Sequence, residues 1–247
     1  MSKLFSLDSG LYKFMSRLFD MLKLNAMWIL CSIPIVTIGA STTAAFTITL
    51  KMVDEEEGYI AGPFLKEFKA NLFKGSAIGL IQLFAMYAIY LDFQLARVSE
   101  RYGTLCTVVG VIAIVMTVMH FLYAYALLAR YENTIVNTLR NSYSICVKYF
   151  LKTLFLLVTL FVEYLVFYQL HWTLLFFGII LGPACLILTI SGFARQFFRN
   201  IERENDLREE ESKQEKANER QGIWKEAFED QEESDPTVSY THLTLPT

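Results

Sequence analysis

Five long apolar stretches divide the chain, and polar or basic segments separate them. The stretches are Leu24–Leu50, Gly75–Leu91, Thr104–Ala129, Tyr149–Leu170 and Trp172–Phe193. A bilayer core about 30 Å thick is crossed by about 20 helical residues, and the stretches have about this length. The pattern therefore predicts an all-α membrane protein that crosses a lipid bilayer several times.

Three amphipathic segments lead into these stretches: Leu11–Leu22, Gly62–Gly75 and Arg130–Phe150. In the first of them apolar residues recur at helical spacing, while Lys13 and Arg17 share the other face. Basic amphipathic helices of this kind lie in the membrane interface. We therefore expect interfacial helices beside the membrane-spanning ones.

The first apolar stretch carries residues that interrupt a helix. Pro34 removes a backbone donor and Gly39 tolerates a turn. Hydroxyl side chains that can bond the freed backbone groups surround them: Ser32, Thr37, Ser41, Thr42 and Thr43. Non-helical backbone survives at membrane depth only inside protein or beside a water-filled cavity. We therefore expect this element to pack inside the bundle.

The distribution of cations distinguishes two topologies. If all five stretches crossed the membrane from a cytoplasmic N-terminus, most cations between the stretches would lie outside, against the positive-inside bias: Lys51, Lys66, Lys69, Lys74, Arg130, Arg140, Lys148, Arg195, Arg199 and Arg203. If the first stretch enters and returns on one side, these cations become cytoplasmic, and only Arg97 and Arg101 lie outside.

Length limits how far the first stretch can go. Its roughly 27 residues make about 40 Å of helix, which is too short for two full crossings. The sequence thus predicts four full transmembrane helices plus a broken or re-entrant first segment, with both termini cytoplasmic. One long, kinked and tilted span remains the alternative.

The composition also predicts the domain boundaries. Residues 1–23 form the N-terminal amphipathic helix, residues 24–200 the membrane domain, and residues 201–237 a charged cytoplasmic tail that frays into disorder. Trp224 and Phe228 are candidates for docking a partner. The closing VSYTHLTLPT, residues 238–247, looks like translated sequencing adapter, and we expect the intact gene to diverge from it at or just before Val238.

The residues that would carry familiar chemistry are sparse. Four cysteines stand singly without C-x-x-C spacing, and there are three histidines, so we expect neither a metal site nor a cofactor. The chain has no Gly-rich phosphate loop and no G-x-S-x-G, and its net charge of -3 gives no sign of nucleic-acid binding. The sequence predicts no catalytic residues.

Two ionisable residues interrupt the apolar stretches, Glu163 and His120. Charge inside a membrane is costly, so both are candidates for function. Their expected depths differ by roughly 7 Å, which does not favour a direct pair. Alternatively, Glu163 is protonated and bonded to a hydroxyl such as that of Tyr123 or Thr159.

The region around the first stretch resembles a known family. The residues that carry this resemblance are Asn25, Trp28, the run SIPIVTIGAST at Ser32–Thr42, Phe64, Phe68, Asn71 and Lys74. They resemble the YesL family of bacterial integral membrane proteins of unassigned function, over roughly residues 5–200. The most specific part is P-x-x-T-x-G, formed by Pro34, Thr37 and Gly39. Because family members are often encoded beside carbohydrate uptake genes, the resemblance implies a protein of the bacterial plasma membrane that is accessory to carbohydrate import.

Two functions remain in view at this point, besides a membrane enzyme without a recognisable catalytic set. The first is a non-enzymatic protein that assembles with or regulates the subunits of a carbohydrate (ABC-type) transporter. The second is a small transporter or channel with its site at the broken first segment and Glu163. Four full spans are few for transport, so this protein would have to be a homo-oligomer.

Overall fold

The computed structural model describes residues 10–55, 58–99, 101–169 and 172–234, and all regular structure within them is helical. The helices are α1 (Gly10–Ser32), α2 (Ile38–Val53), α3 (Ala61–Ala70), α4 (Leu72–Val98), α5 (Gly103–Phe121), α6 (Ala124–Arg130), α7 (Ile135–Lys148), α8 (Phe150–Tyr168) and α9 (Trp172–Ser234), with a 3-10 turn at Ile35–Thr37 between α1 and α2. The predicted all-α class is confirmed.

Five segments within the described residues are long and apolar enough to cross a membrane. They are Ile35–Val53, Leu72–Val98, Gly103–Arg130, Phe150–Tyr168 and Leu174–Trp224. Each contains or overlaps one of the five apolar stretches of the sequence. These helices fit a multi-pass membrane protein in a lipid bilayer.

The N-terminal region differs from the predicted division at residues 23 and 24. The amphipathic segment Leu11–Leu22 and the first part of the apolar stretch form one continuous helix, α1. Its first half exposes the apolar side chains of Phe14 and Phe19, whereas Leu24 and Asn25 are buried. No helix breaker stands between the two parts, so the helix continues to Ser32.

A break between α5 and α6 was not predicted from the sequence. Ser142 of α7 inserts its hydroxyl between the two backbone groups that would otherwise bond within the helix: its Oγ accepts from the Tyr123 amide (3.2 Å) and donates to the Met119 carbonyl (3.1 Å). A side chain that enters the backbone ladder in this way bends a helix. The amphipathic helix α7 is thereby fixed to the end of α5.

The chain divides into two compact units, Met1–Phe197 and Phe198–Thr247. In the first, α8 and α9 run antiparallel: Tyr168 donates to the Gly178 carbonyl (3.0 Å), and the Phe155 and Phe193 rings are 6.0 Å apart. In the second, the described residues form the charged remainder of α9. The proposed adapter segment and the Phe228 side chain lie outside the described residues.

Candidate functional site

The break in the first apolar stretch lies where the sequence predicts it. Pro34 is extended (φ -73°, ψ 114°) and precedes the 3-10 turn. The Thr37 hydroxyl lies 2.7 Å from the Cys31 carbonyl and 2.8 Å from the Pro34 carbonyl. Thr37 therefore caps the Cys31 carbonyl at the end of α1, while the Pro34 carbonyl also accepts a hydrogen bond from the Thr37 amide (2.8 Å).

The two helices beside the break form an antiparallel pair, which we call the α1–α2 hairpin. Trp28 Nε1 donates to Thr42 Oγ1 (3.1 Å), and the Ser32 and Ser41 hydroxyls are 2.5 Å apart near the turn. At the other end Arg17 reaches Glu55 (3.4 Å). Residues of α1 thus contact residues of α2 in reverse order, and the two ends of the hairpin lie side by side.

Gly39 allows a very close approach between helices. A Cβ atom added at Gly39 would lie 2.0 Å from the Gly75 carbonyl oxygen and 2.9 Å from the Gly79 amide nitrogen. Gly75 and Gly79 stand four residues apart on α4, the spacing with which small residues let membrane helices pack backbone to backbone. None of the described glycines has a positive φ, so Gly39 serves this contact rather than a turn.

Asn25 compensates for a proline elsewhere in the chain. Its Nδ2 donates to the carbonyls of Ile179 (3.2 Å) and Ile180 (2.6 Å) in α9. Pro183 of the same helix has no amide hydrogen, so the carbonyl four residues before it, that of Ile179, has no helical donor. Asn25 is almost fully buried, and it replaces the missing hydrogen bond.

The far end of α2 is tied to the same helix. Thr49 and Ser191 share a hydroxyl contact of 2.6 Å, and Arg195 Nε donates to Asp54 Oδ1 at 2.7 Å. Both side chains of this ion pair are largely buried. Since Ile180 and Arg195 are about 22 Å apart along an α-helix, the hairpin follows α9 for at least that distance.

A cavity of about 520 Å³ lies beside the hairpin. Thirteen side chains from α2, α4, α5, α6, α9 and the α5–α6 break line it: Thr42, Phe46, Gln82, Met86, Ile89, Ile114, Thr117, Val118, Phe121, Leu122, Tyr125, Ile187 and Ile190. None of them is charged. The Tyr125 hydroxyl donates to Gln82 Oε1 (2.5 Å) within it, which makes this cavity the candidate binding site.

The two predicted intramembrane candidates do not meet. Glu163 accepts a hydrogen bond from Thr189 of α9 (3.1 Å) rather than from Tyr123 or Thr159, the partners suggested from the sequence. Thr159 instead donates to the carbonyl of Phe155 in its own helix. His120 contacts the Met116 carbonyl and stacks on Tyr143, with ring centroids 5.2 Å apart. Neither Glu163 nor His120 lines the cavity.

Two further residues that carry the family resemblance, Phe68 and Asn71, belong to α3 and to the junction between α3 and α4. Asn71 separates α3 from α4, and its Nδ2 donates to the Glu67 carbonyl (3.2 Å). Phe68 is half-buried on α3. The Asn71 contact is local to the α3–α4 corner, and neither Phe68 nor Asn71 lines the cavity.

Several residues of this region were missed by sequence reasoning. Gln82 and Tyr125 face each other only in the fold, and Pro183 was not connected to Asn25. Asp92 was also overlooked, although its Oδ2 is buried without a hydrogen-bond partner among the described residues. The usable signals were a polar residue in each apolar stretch and the G-x-x-x-G spacing of Gly75 and Gly79.

Comparison with known proteins gives one match. The family model described as "Protein of unknown function, DUF624" matches residues 21–93. The matched part contains residues 21–32 of α1, all of α2 and α3 and most of α4, which includes the Gly39 contact and Gln82. No curated protein and no solved structure matches the chain.

Proposed function

We propose that this chain is a non-enzymatic protein of the bacterial plasma membrane that is accessory to a carbohydrate (ABC-type) transporter and does not itself carry the sugar. The observation that supports this proposal is the lining of the cavity, which offers no charged side chain and few hydrogen-bonding groups. A sugar presents many hydroxyls, and each would need a partner once buried. The link to carbohydrate uptake rests on the YesL resemblance.

The proposed topology has four full crossings and a re-entrant α1–α2 hairpin. The contact between Arg17 and Glu55 supports it, because it holds both ends of the hairpin at one side. The turn exposes Ile33, Ile35 and Val36, which fits a tip in hydrocarbon rather than in water.

In this topology the basic helices α3 and α7 lie on the cytoplasmic side, as the positive-inside bias requires. The charged second unit lies there too. It exposes the apolar side chains of Leu207 and Ile223 among charged neighbours, a surface that suits a partner protein. Docking through this helix is part of the proposal.

A second candidate is a small oligomeric transporter or channel. One observation favours it: the cavity reaches Thr42 of the broken first segment. Glu163, the other half of the site expected for this function, does not line the cavity, and it bonds Thr189 instead. The accessory role is therefore the proposal that we retain.

Co-purification from the native membrane tests the accessory role. We expect subunits of a carbohydrate transporter in stoichiometric amount, and we expect their loss when the second unit is deleted. Exchange of the exposed Leu207 and Ile223 for Ser in the intact chain should cause the same loss without removing the helix. Sugar flux through vesicles that contain only this purified protein would contradict the proposal and support the second candidate.

Cysteine labelling tests the topology. In a cysteine-free background, Tyr59→Cys is expected to be protected from an impermeant thiol reagent in intact cells and Val98→Cys to be labelled, since both side chains are strongly exposed. Labelling of Tyr59→Cys would refute the re-entrant hairpin. Native Cys146 is unsuitable as a reporter because burial raises the pKa of its thiol to about 11.

A further inference from the structure

The cavity beside the α1–α2 hairpin opens sideways. Met86 and Ile114 line it and are nevertheless 55% and 41% exposed. They belong to α4 and α5, so the cavity is open to the outside along these two helices. The surface near it is apolar, since Leu83 and Val115 are exposed as well. A ligand therefore reaches the cavity from the surrounding hydrocarbon and not from water.

The size of the cavity suits a chain molecule. Its volume of about 520 Å³ falls within the range of roughly 300–1,000 Å³ that ligand sites occupy. Nine of the thirteen lining side chains are hydrocarbon or thioether in character. Water does not fill an apolar space of this kind, because each molecule needs two to four polar partners.

The polar groups of the cavity specify the chemistry of one end of the ligand. The Thr42 hydroxyl already has hydrogen-bond partners, since it donates to the Ile38 carbonyl and accepts from Trp28. Tyr125 donates its hydrogen to Gln82 Oε1. The Gln82 amide hydrogens and the Thr117 hydroxyl have no partner among the described residues, so the cavity offers donors to an acceptor such as a carbonyl oxygen.

Because no charged side chain lines the cavity, charged ligand groups are also disfavoured there. A free carboxylate or phosphate buried here would lack a counter-ion, which is strongly unfavourable. An ester carbonyl is uncharged, accepts two hydrogen bonds and stands next to a long hydrocarbon chain. We propose that the cavity binds one ester-linked acyl chain of a membrane phospholipid, with its ester carbonyl at Gln82 and Thr117 and its charged headgroup outside.

Photolabelling of the full chain tests this site. The protein is reconstituted in phosphatidylethanolamine and phosphatidylglycerol vesicles with a trace of phosphatidylglycerol that carries a diazirine on one acyl chain. After irradiation, we expect labelled peptides to centre on the cavity-lining segments of α4, α5 and α9. Label spread evenly over the exposed faces of all apolar helices would overturn the proposal.

Two neighbouring residues give a matched pair of variants. Ile114→Trp places an indole in the cavity, and we expect it to remove most of the cavity label. Val115→Trp is the control, because Val115 is exposed on the same helix but does not line the cavity. Equal labelling in both variants would overturn the proposal. If Ile114→Trp does not fold, Ile190→Phe narrows the same cavity from α9.

The ester assignment has its own test. Gln82→Leu keeps the side-chain volume and removes the amide donor; it is combined with Tyr125→Phe, because the Tyr125 hydroxyl would otherwise lose its acceptor and offer its hydrogen to the ester. We expect labelling by the ester lipid to fall about fivefold in this variant, the effect of one hydrogen bond. An ether-linked analogue should label weakly in the native protein and be unaffected by the double substitution. A free fatty acid with the same diazirine that labels the cavity as strongly as the phospholipid would contradict the assignment. No transporter is present in these vesicles, so failure of the accessory role leaves these results unchanged.

Discussion

The segments Ile35–Val53 and Phe150–Tyr168 are both apolar enough to cross a membrane, but they stand in opposite surroundings. The first, which contains α2, is rich in hydroxyl side chains, and 56% of its most apolar 18-residue stretch is buried. The second, α8, is the more apolar, and 11% of the corresponding stretch is buried. In water the more apolar helix would lie inside. In lipid, apolar side chains gain little from burial, and helices associate through small residues and hydrogen bonds. The less apolar segment therefore forms the interior.

The largest expected difference in stability is between the alanine variants of two phenylalanines. Phe46 of α2 is 2% exposed and lies beside Tyr125, while Phe161 of α8 is 60% exposed. Phe46→Ala should lower the free energy of unfolding by about 3–4 kcal/mol through lost packing. Phe161→Ala should change it by less than about 1 kcal/mol, because lipid replaces the lost contacts. Unfolding curves in detergent measure both, and equal losses would show that α2 is not the interior helix.

A slightly smaller effect is expected at the glycine contact. Gly39→Ala places a Cβ atom against the Gly75 carbonyl, and the two helices must separate, at about 3 kcal/mol. Gly192 of α9 is the matched control, since a Cβ atom there meets nothing within 4 Å. Gly192→Ala should be neutral or stabilise the helix by up to about 1 kcal/mol. Thermal melts of both variants measure these changes in stability. A Gly39→Ala protein as stable as the original would show that α2 and α4 can move apart without loss.

The third-largest loss of stability is expected when the hydrogen bonds donated by Asn25 are removed. Asn25→Leu leaves the Ile179 carbonyl without a donor, which should cost about 2 kcal/mol. Pro183→Ala restores the missing amide, so the same exchange should cost about 1 kcal/mol less in that background. A double-mutant cycle measured by unfolding gives this difference. Additive effects would mean that Asn25 does not compensate for the proline.

The smallest effect concerns two threonines. Thr49 of α2 is fully buried and bonds Ser191 of α9, whereas the Thr159 hydroxyl of α8 donates to the Phe155 carbonyl of its own helix. Thr49→Val should destabilise by about 1 kcal/mol. Thr159→Val should be nearly neutral. Restoration of stability in Thr49→Ser would show that the hydroxyl is responsible, and identical melts for both valine variants would count against an interior held by hydroxyls.

The sequence by itself determined the helical class, the positions of the apolar segments and the break near Pro34. These properties are local: a helix needs a run of suitable residues, and a proline interrupts its own ladder wherever it stands. The role of Gly39 could be predicted only in part from the sequence, because a glycine permits either a turn or a close contact. The choice depends on what lies opposite.

Only the tertiary structure decided which helices are inside and which polar groups meet. Asn25 and Ile179 stand 154 residues apart, and neither shows from its neighbours that the other completes its hydrogen bonding. Glu163 likewise bonds Thr189 because α9 packs on that face of α8. The cavity exists because five helices leave a space between them that none defines alone. In a membrane, hydrophobicity places helices in the bilayer but does not order them within it, so that order comes from contacts distant in the chain.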